Sequence, residues 1–206
     1  MPVSDHQRWA AIRHLRKADP VMPKLIDAVG PFTLRLEPRR VRMLVRSILS
    51  QQISTGAARS IRMRLEEAAG GVTAARLAEL PVEDYRAAGV SPQKTRYILD
   101  LARKVLDGEM SFRKFHRMTD QQIIDDLTKV KGIGTWTAHM FLIFSLGRLD
   151  VLPTGDLGIR TAIRKYHGCE ELPDTETVQE FAKPWRPYST VASWYCWRSL
   201  DIENVT

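Results

Sequence analysis

Two stretches of this 206-residue chain hold residue types at spacings fit for chemistry. The first is Leu127-Thr128-Lys129-Val130-Lys131-Gly132-Ile133-Gly134-Thr135-Trp136-Thr137-Ala138. A helix opened by Thr119 and Gln122, spaced as a capping box, is predicted to end near Lys129, and an apolar helix is predicted to start directly after Gly134. Two glycines one residue apart turn the chain tightly and let an anion approach the main-chain N–H groups unobstructed. The N-terminus of the following helix adds unpaired N–H groups and a positive dipole end, and Lys129 and Lys131 add charge. Such a turn can hold a phosphate without reading bases. The same spacing also serves a plain helix–turn–helix connection in which Gly132 only terminates a helix.

The second stretch is Val151-Leu152-Pro153-Thr154-Gly155-Asp156-Leu157-Gly158-Ile159-Arg160. An aspartate after Pro-Thr-Gly and before an apolar-periodic run is a good helix N-cap. A carboxylate held at such a fixed point can also stabilise developing positive charge or orient a water. The two roles are compatible. Trp136, Trp194, Tyr188 and Tyr195 are either core residues or faces that favour electron-poor rings. His6, His14, His116, His139 and His167 show no metal-ligand spacing, and Cys169 and Cys196 form neither a Cys-x-x-Cys pair nor a disulfide framework.

The elements that must position these residues are helical. Val41, Leu44, Val45, Ile48 and Leu49 follow the helical repeat, with Arg39, Arg40, Arg42 and Arg46 between them. Ala58, Ile61 and Leu65 continue on a second helix. Ser91-Pro92 is an N-cap with proline at the first helical position, opening a helix with Tyr97, Ile98, Leu101, Ala102 and Val105 on one face. Trp136 to Leu146 is nearly apolar all round and is expected to be one central buried helix. Pro187 is expected to start a last helix carrying Val191, Trp194, Tyr195 and Trp197. Alternating strand-like residues occur only around 32–34 and 150–152. The fold class is therefore all-α.

With 44% hydrophobic and 27% charged residues, the chain has the composition of a globular protein, and no apolar run approaches the roughly 20 residues of a membrane span. The polar start of the chain carries no signal-peptide core, so secretion is not expected, and the two cysteines without a framework place the protein in a reducing compartment. An excess of 31 Lys+Arg over 24 Asp+Glu gives +7, which favours polyanions without proving such a partner.

The glycine hairpin, followed by the Pro153-Thr-Gly155-Asp156 segment, resembles the helix-hairpin-helix DNA glycosylase superfamily. Ile48-Leu-Ser-Gln51-Gln52-Ile53-Ser54, Ser91-Pro-Gln-Lys94 and Trp185-Arg-Pro-Tyr188 through Trp194-Tyr195 are similar to further segments of its 3-methyladenine DNA glycosylase II (alkylbase) branch, in a minimal form without an N-terminal β domain. The resemblance implies a two-lobed helical fold with the active site in the cleft between lobes. One lobe would span 36–148 with the hairpin at about 127–138. The other would join 1–35 to 149–206 and carry the catalytic aspartate.

It implies a base-excision repair enzyme that flips alkylated purines out of damaged double-stranded DNA. Asp156 would be catalytic. Trp136, Trp194, Met140, Tyr188 and Tyr195 would form the base pocket. Gln51, Gln52, Ser54, Lys131, Gly132, Ile133, Gly134, Thr135 and Arg160 would contact DNA, with Gln52 filling the gap left by the flipped nucleotide. Trp136 stands where bifunctional members carry a lysine, which implies base release without strand cleavage. The chemistry would need no cofactor and no iron–sulfur cluster. The main-chain carbonyls of Thr128, Val130 and Gly132 would hold a monovalent or magnesium-like ion. A monomer without membrane contact is expected, in the cytoplasm and nucleoid or in a nucleus. A non-catalytic lesion-binding protein and a mismatch or uracil-type glycosylase are the alternatives.

Overall fold

The computed structural model describes residues 3–202, apart from the side chain of Thr55; the outermost residues of the expected second lobe, 1–2 and 203–206, lie outside the described residues. Every regular element among them is helical. In chain order these are α1 (Asp5–Ala18), α2 (Met22–Val29), α3 (Arg40–Ser50), α4 (Thr55–Ala68), α5 (Ala74–Glu79) and α6 (Val82–Ala87). They are followed by α7 (Pro92–Leu106), α8 (Asp120–Thr128), α9 (Thr135–Phe141), α10 (Leu157–His167), α11 (Thr175–Ala182) and α12 (Ser189–Ser199). Residues 32–34 and 150–152 form no strand.

Local chemistry explains where the helices start. Ser4, Ser54, Thr73, Ser91, Thr119, Asp156 and Asp174 each accept a main-chain N–H of the first turn, satisfying a donor the helix itself leaves open. Thr119 and Gln122 form the full reciprocal capping box at α8.

The chain divides into two compact units, 1–36 with 142–206 and 37–141. In the first, α12 packs on α2 and α10. Leu15, Leu25, Ile26, Ile159, Ile163, Val178, Trp185 and Val191 meet in its core. The buried carboxylate of Asp19 joins this core because its charge is satisfied: the Trp185 indole N–H donates to Oδ2 at 2.6 Å and the Val21 N–H to Oδ1 at 2.8 Å. In the second unit, α3 packs on α4, α7 and α9, and α5 on α7. Leu44, Ile48, Leu65, Leu101 and Leu127 are buried completely there, each worth about 1.5–3 kcal/mol of transfer free energy.

Three expectations need correction. The boundary falls after Phe141 rather than 148. Phe144 stacks on Trp197 at 5.8 Å, and Thr190 donates its hydroxyl to the Arg148 carbonyl and its N–H to the Leu149 carbonyl, so 142–149 belongs with α12. Trp136–Leu146 is not one buried α-helix: α9 ends at Phe141, Leu142–Leu146 widens into a π-helical turn, and Trp136 is 44% exposed. The last helix begins at Ser189, two residues beyond Pro187, where the carboxylate of Asp150 accepts both the N–H and the hydroxyl of Ser189.

His139 on α9 is largely buried, and burial holds its imidazole pKa below the usual 6.5, against a smaller upward pull from Asp120. Below about pH 6.5 the unfolded chain therefore binds a proton that the folded chain resists. This contribution is full above the unfolded pKa and is lost as pH falls toward the folded one. Melting temperature is expected to drop between about pH 7 and about pH 5. In His139→Gln the drop should be shallower, as followed by circular dichroism; an unchanged profile would place the titration elsewhere.

Candidate active site

The first unit supplies the carboxylate. The Asp156 N–H donates to the Pro153 carbonyl at 2.9 Å, closing the turn that the Pro153-Thr-Gly155 sequence favours. Asp156 then caps α10, its Oδ1 accepting the Ile159 N–H at 3.0 Å. The same oxygen accepts the indole N–H of Trp197 at 2.8 Å. Asp156 is 9% exposed. A hydrogen bond to a charged group contributes about 1.5–3 kcal/mol, so these two hold the carboxylate in one rotamer.

Trp197 was not among the expected site residues. On α12 it reads as one more apolar position beside Val191 and Trp194, and it contacts Asp156 across 41 positions of sequence. No local spacing encodes such a contact. Gly158 carries the one available signal, because a Cβ there would sit 2.8 Å from the Trp197 ring and 3.1 Å from Asp156 Oδ1. Phe144 stacks on the indole and completes its seat.

The other expected residues of this unit divide. Trp194 is 8% exposed and packs edge-on against Phe32 at 5.0 Å and Tyr195 at 5.0 Å. Tyr195 is fully buried with its hydroxyl donated to the Gly30 carbonyl, which takes it out of the expected stacking wall. Tyr188 is half-buried, edge-on to His14. Arg160 does not present its guanidinium freely: Nε donates to the Pro173 carbonyl at 2.6 Å and ties α10 to the segment before α11.

The second unit supplies the hairpin between α8 and α9. Gly132 has φ +79°, and an added Cβ would fall 2.0 Å from the ring of Tyr97, so no other residue fits. The Lys131 N–H is bound by Asp100 Oδ2 and the Ile133 N–H by the Val130 carbonyl. Those bonds fix the turn. Gly134 and Thr135 are exposed, and their N–H groups have no acceptor among the described residues. Lys131 and Trp136 are exposed beside them, while Ile133 and Met140 are buried. The open donors of the α9 N-terminus thus lie where an anion can reach them.

The turn from α3 to α4 is built onto this hairpin. Lys94 donates to the carbonyls of Leu49 and Gln51, both at 2.8 Å, supplying a cation to the C-terminus of α3. Burial lowers the Lys94 pKa. The Gln51 amide donates to the Gly132 carbonyl at 2.8 Å, so Gln51 positions the hairpin from within instead of facing outward. Gln52 alone among the described non-glycine residues has a positive φ, 56°, and it is exposed. Holding it there costs on the order of 1–3 kcal/mol, a strain that surrounding contacts must impose. Ser54 caps α4.

The two hairpin glycines therefore should differ under substitution. Gly132→Ala combines a left-handed backbone with overlap on Tyr97 and is expected to cost about 3 kcal/mol in urea unfolding. Gly134→Ala meets nothing within 4 Å and should stay within about 0.5 kcal/mol of the parent. Equal losses would mean that the turn is held otherwise.

The model of the HhH-GPD superfamily of base excision DNA repair proteins matches residues 45–187. The chain is 32% identical over 202 residues to the alkylbase DNA glycosidase-like protein mag2 of Schizosaccharomyces pombe, covering 95% of this chain and 94% of that one. Among solved structures, the S. pombe 3-methyladenine DNA glycosylase in complex with abasic DNA superposes with a TM-score of 0.86 at 30% identity, covering 94% of this chain and 98% of the other. The DNA-3-methyladenine glycosidase of Bacillus halodurans gives 0.83 at 34% identity, with 95% and 93% covered. With a turn of open N–H donors in one unit and a doubly held aspartate in the other, both inside the matched residues, this chain belongs to the HhH-GPD superfamily of base excision DNA repair proteins.

Proposed function

We propose that the protein is a monofunctional DNA glycosylase that flips alkylated purines, of the 3-methyladenine and 7-methylguanine type, out of duplex DNA and hydrolyses their N-glycosidic bond. The observation that carries this reading is the Asp156 carboxylate, which lies inside the matched family segment and is fixed by the N–H groups of Ile159 and Trp197. It is supported by the names of relatives aligned over nearly the whole chain.

The bond between C1′ and the base nitrogen breaks with its electron pair leaving on the base. Positive charge then spreads over C1′ and the sugar ring oxygen. A pre-oriented carboxylate stabilises that charge without reorganising, which is worth several kcal/mol in a water-poor site. Water adds to C1′, and its proton passes to Asp156 or to solvent. An alkylated purine is already cationic and leaves as a neutral base, so little acid catalysis is required. Trp136 offers no amine for a Schiff base, and strand cleavage is not part of this activity. Its exposed indole would stack on the cationic ring. Gln52, exposed at its strained turn, would occupy the gap in the duplex.

The hairpin carbonyls suit a weakly held ion better than magnesium. Those of Val130 and Gly132 each already accept a protein N–H, from Ile133 and from the Gln51 amide, leaving one lone pair apiece for a cation. Magnesium demands near-ideal octahedral geometry, whereas a monovalent ion tolerates a partial set. When bound there, with Thr128 as third donor, it would neutralise a DNA phosphate. Among the described residues no helix is long and apolar enough to cross a membrane. The site of action would be the compartment that holds DNA.

Duplexes carrying 3-methyladenine, 7-methylguanine, ethenoadenine, hypoxanthine or uracil, scored for free base and for strand breaks, test the activity. Base release without breaks is expected from the alkylated purines; release from none of them would sink the proposal. Asp156→Asn should abolish turnover and keep duplex affinity. Trp197→Phe should lower single-turnover base release about tenfold, equivalent to about 1.4 kcal/mol of the barrier, with duplex affinity unchanged. Full turnover in Asp156→Asn would move the catalytic role to another group. Full turnover in Trp197→Phe would show that the indole bond does not position the carboxylate.

A further inference from the structure

Residues 40–68, covering α3 and α4, contain six arginines and two glutamates. Arg42 is neutralised, with Nε and one terminal nitrogen paired to Glu66 at 2.7 and 3.1 Å and the other to Glu37 at 2.7 Å. Arg64 donates to the Ala88 carbonyl. Arg46, Arg59 and Arg62 have a different surrounding. With Ser50 and Ala58 they line a cleft of about 120 Å³, and no carboxylate belongs to its wall. The buried Nε of Arg62 has no hydrogen-bond acceptor. Arg62 lies close enough to Glu66 to lower its pKa, but both oxygens of Glu66 are already held by Arg42.

Three guanidinium groups around one small space repel one another, and a buried donor without an acceptor carries an uncompensated desolvation cost. A tetrahedral anion would resolve both. Arginine forks match phosphate oxygens in pairs and stay charged at any working pH. About 10–15 Å³ accommodates one water, so this cleft has room for a phosphate group with part of its hydration. Ser50 stands two residues before Gln52, which places the cleft on the helix that delivers the proposed wedge. It shares no residue with the hairpin.

We propose that Arg46, Arg59 and Arg62 form a second backbone clamp, binding one phosphodiester of the DNA strand that runs past Gln52. Two fixed phosphate contacts in the same unit, the hairpin and this cleft, would set the duplex in one register while Gln52 enters it. The inference rests on the DNA-binding part of the proposed function and not on base release.

Dissociation constants of Arg59→Gln and of Arg59→Gln/Arg62→Gln for undamaged and abasic duplexes, measured by fluorescence anisotropy against salt, test it. Losing one neutralised phosphate lowers the slope of log affinity against log salt by about 0.9, hence about eightfold weaker binding near 0.1 M salt. The double variant should show that loss on both duplexes, and Arg59→Gln, exposed and neutral to folding, a part of it. Slopes and constants equal to the parent's would overturn the clamp. So would unchanged duplex binding together with saturable shifts of the arginine Nε–H resonances on adding inorganic phosphate, which would assign the cleft to a free phosphoryl ligand. Parent protein that binds duplex with the expected slope difference but releases no base would retain the clamp and refute the glycosylase reading. Base release with no slope difference would do the reverse.

Discussion

One oxygen of one aspartate constrains the first unit. Asp156 Oδ1 receives a main-chain N–H from the helix it starts and an indole N–H from a helix 41 positions later, and the two donors must arrive together. This requires α10 and α12 to pack side by side, which they do, with Gly158 as the gap through which the indole passes. It also requires the start of α12 to be fixed. Asp150 grips Ser189 and Arg186, and Thr190 donates to Arg148 and accepts the Val151 N–H. Further back, the buried Asp19 holds Trp185, just ahead of α12. The unit devotes a chain of polar contacts to the direction of a single carboxylate. A fixed direction is what electrostatic stabilisation of a cation demands.

The second unit follows the same logic with main-chain groups. Lys94 holds the carbonyls that end α3, Gln51 at that end holds the carbonyl of Gly132, and Tyr97 on the Lys94 helix lies under the Gly132 Cα. Three segments far apart in sequence therefore share one rigid corner, and two features are left pointing outward from it: the donors of Gly134–Thr135 and the strained Gln52. Strain in an exposed residue persists only where neighbours over-determine it. Here Lys94 and the Gln51–Gly132 bond supply that determination on the residue directly before Gln52.

Much of the fold was legible from the chain, and the reason is local. Caps at Ser91, Thr119 and Asp156 and the helical repeats of α3 and α7 are encoded within a few residues, so their starts and faces follow from spacing. What escaped was tertiary. The π-helical turn after Phe141 cannot be told from a continuing α-helix by apolarity, because Leu142 and Ile143 are buried either way. Gln51 and Gln52 look equivalent as adjacent polar residues, yet one faces the hairpin carbonyl and the other lies exposed, a distinction set by φ at position 52. Tyr195 and Trp194 are neighbours on a stripe of aromatic residues, and only the Gly30 carbonyl shows that Tyr195 is core. Trp197 needed both helices in place before its role existed.

The positions that break local rules are therefore informative in a way that the regular ones are not. Gln52 in its left-handed conformation and the buried Arg62 Nε, which like Arg8 Nε and Ser193 Oγ has no partner among the described residues, are two such positions. Each is a cost of a kcal/mol or more by the usual magnitudes, in a molecule whose total stability is on the order of 5–15 kcal/mol. Stability alone would remove both, since glycine at 52 and an uncharged residue at 62 are single substitutions. Both occur on α3, its turn and α4, the segment in which arginines outnumber acids. Their shared location, more than the net charge of +7 spread over the whole chain, argues that this part of the surface is shaped by a polyanion it must meet and not by the core it covers.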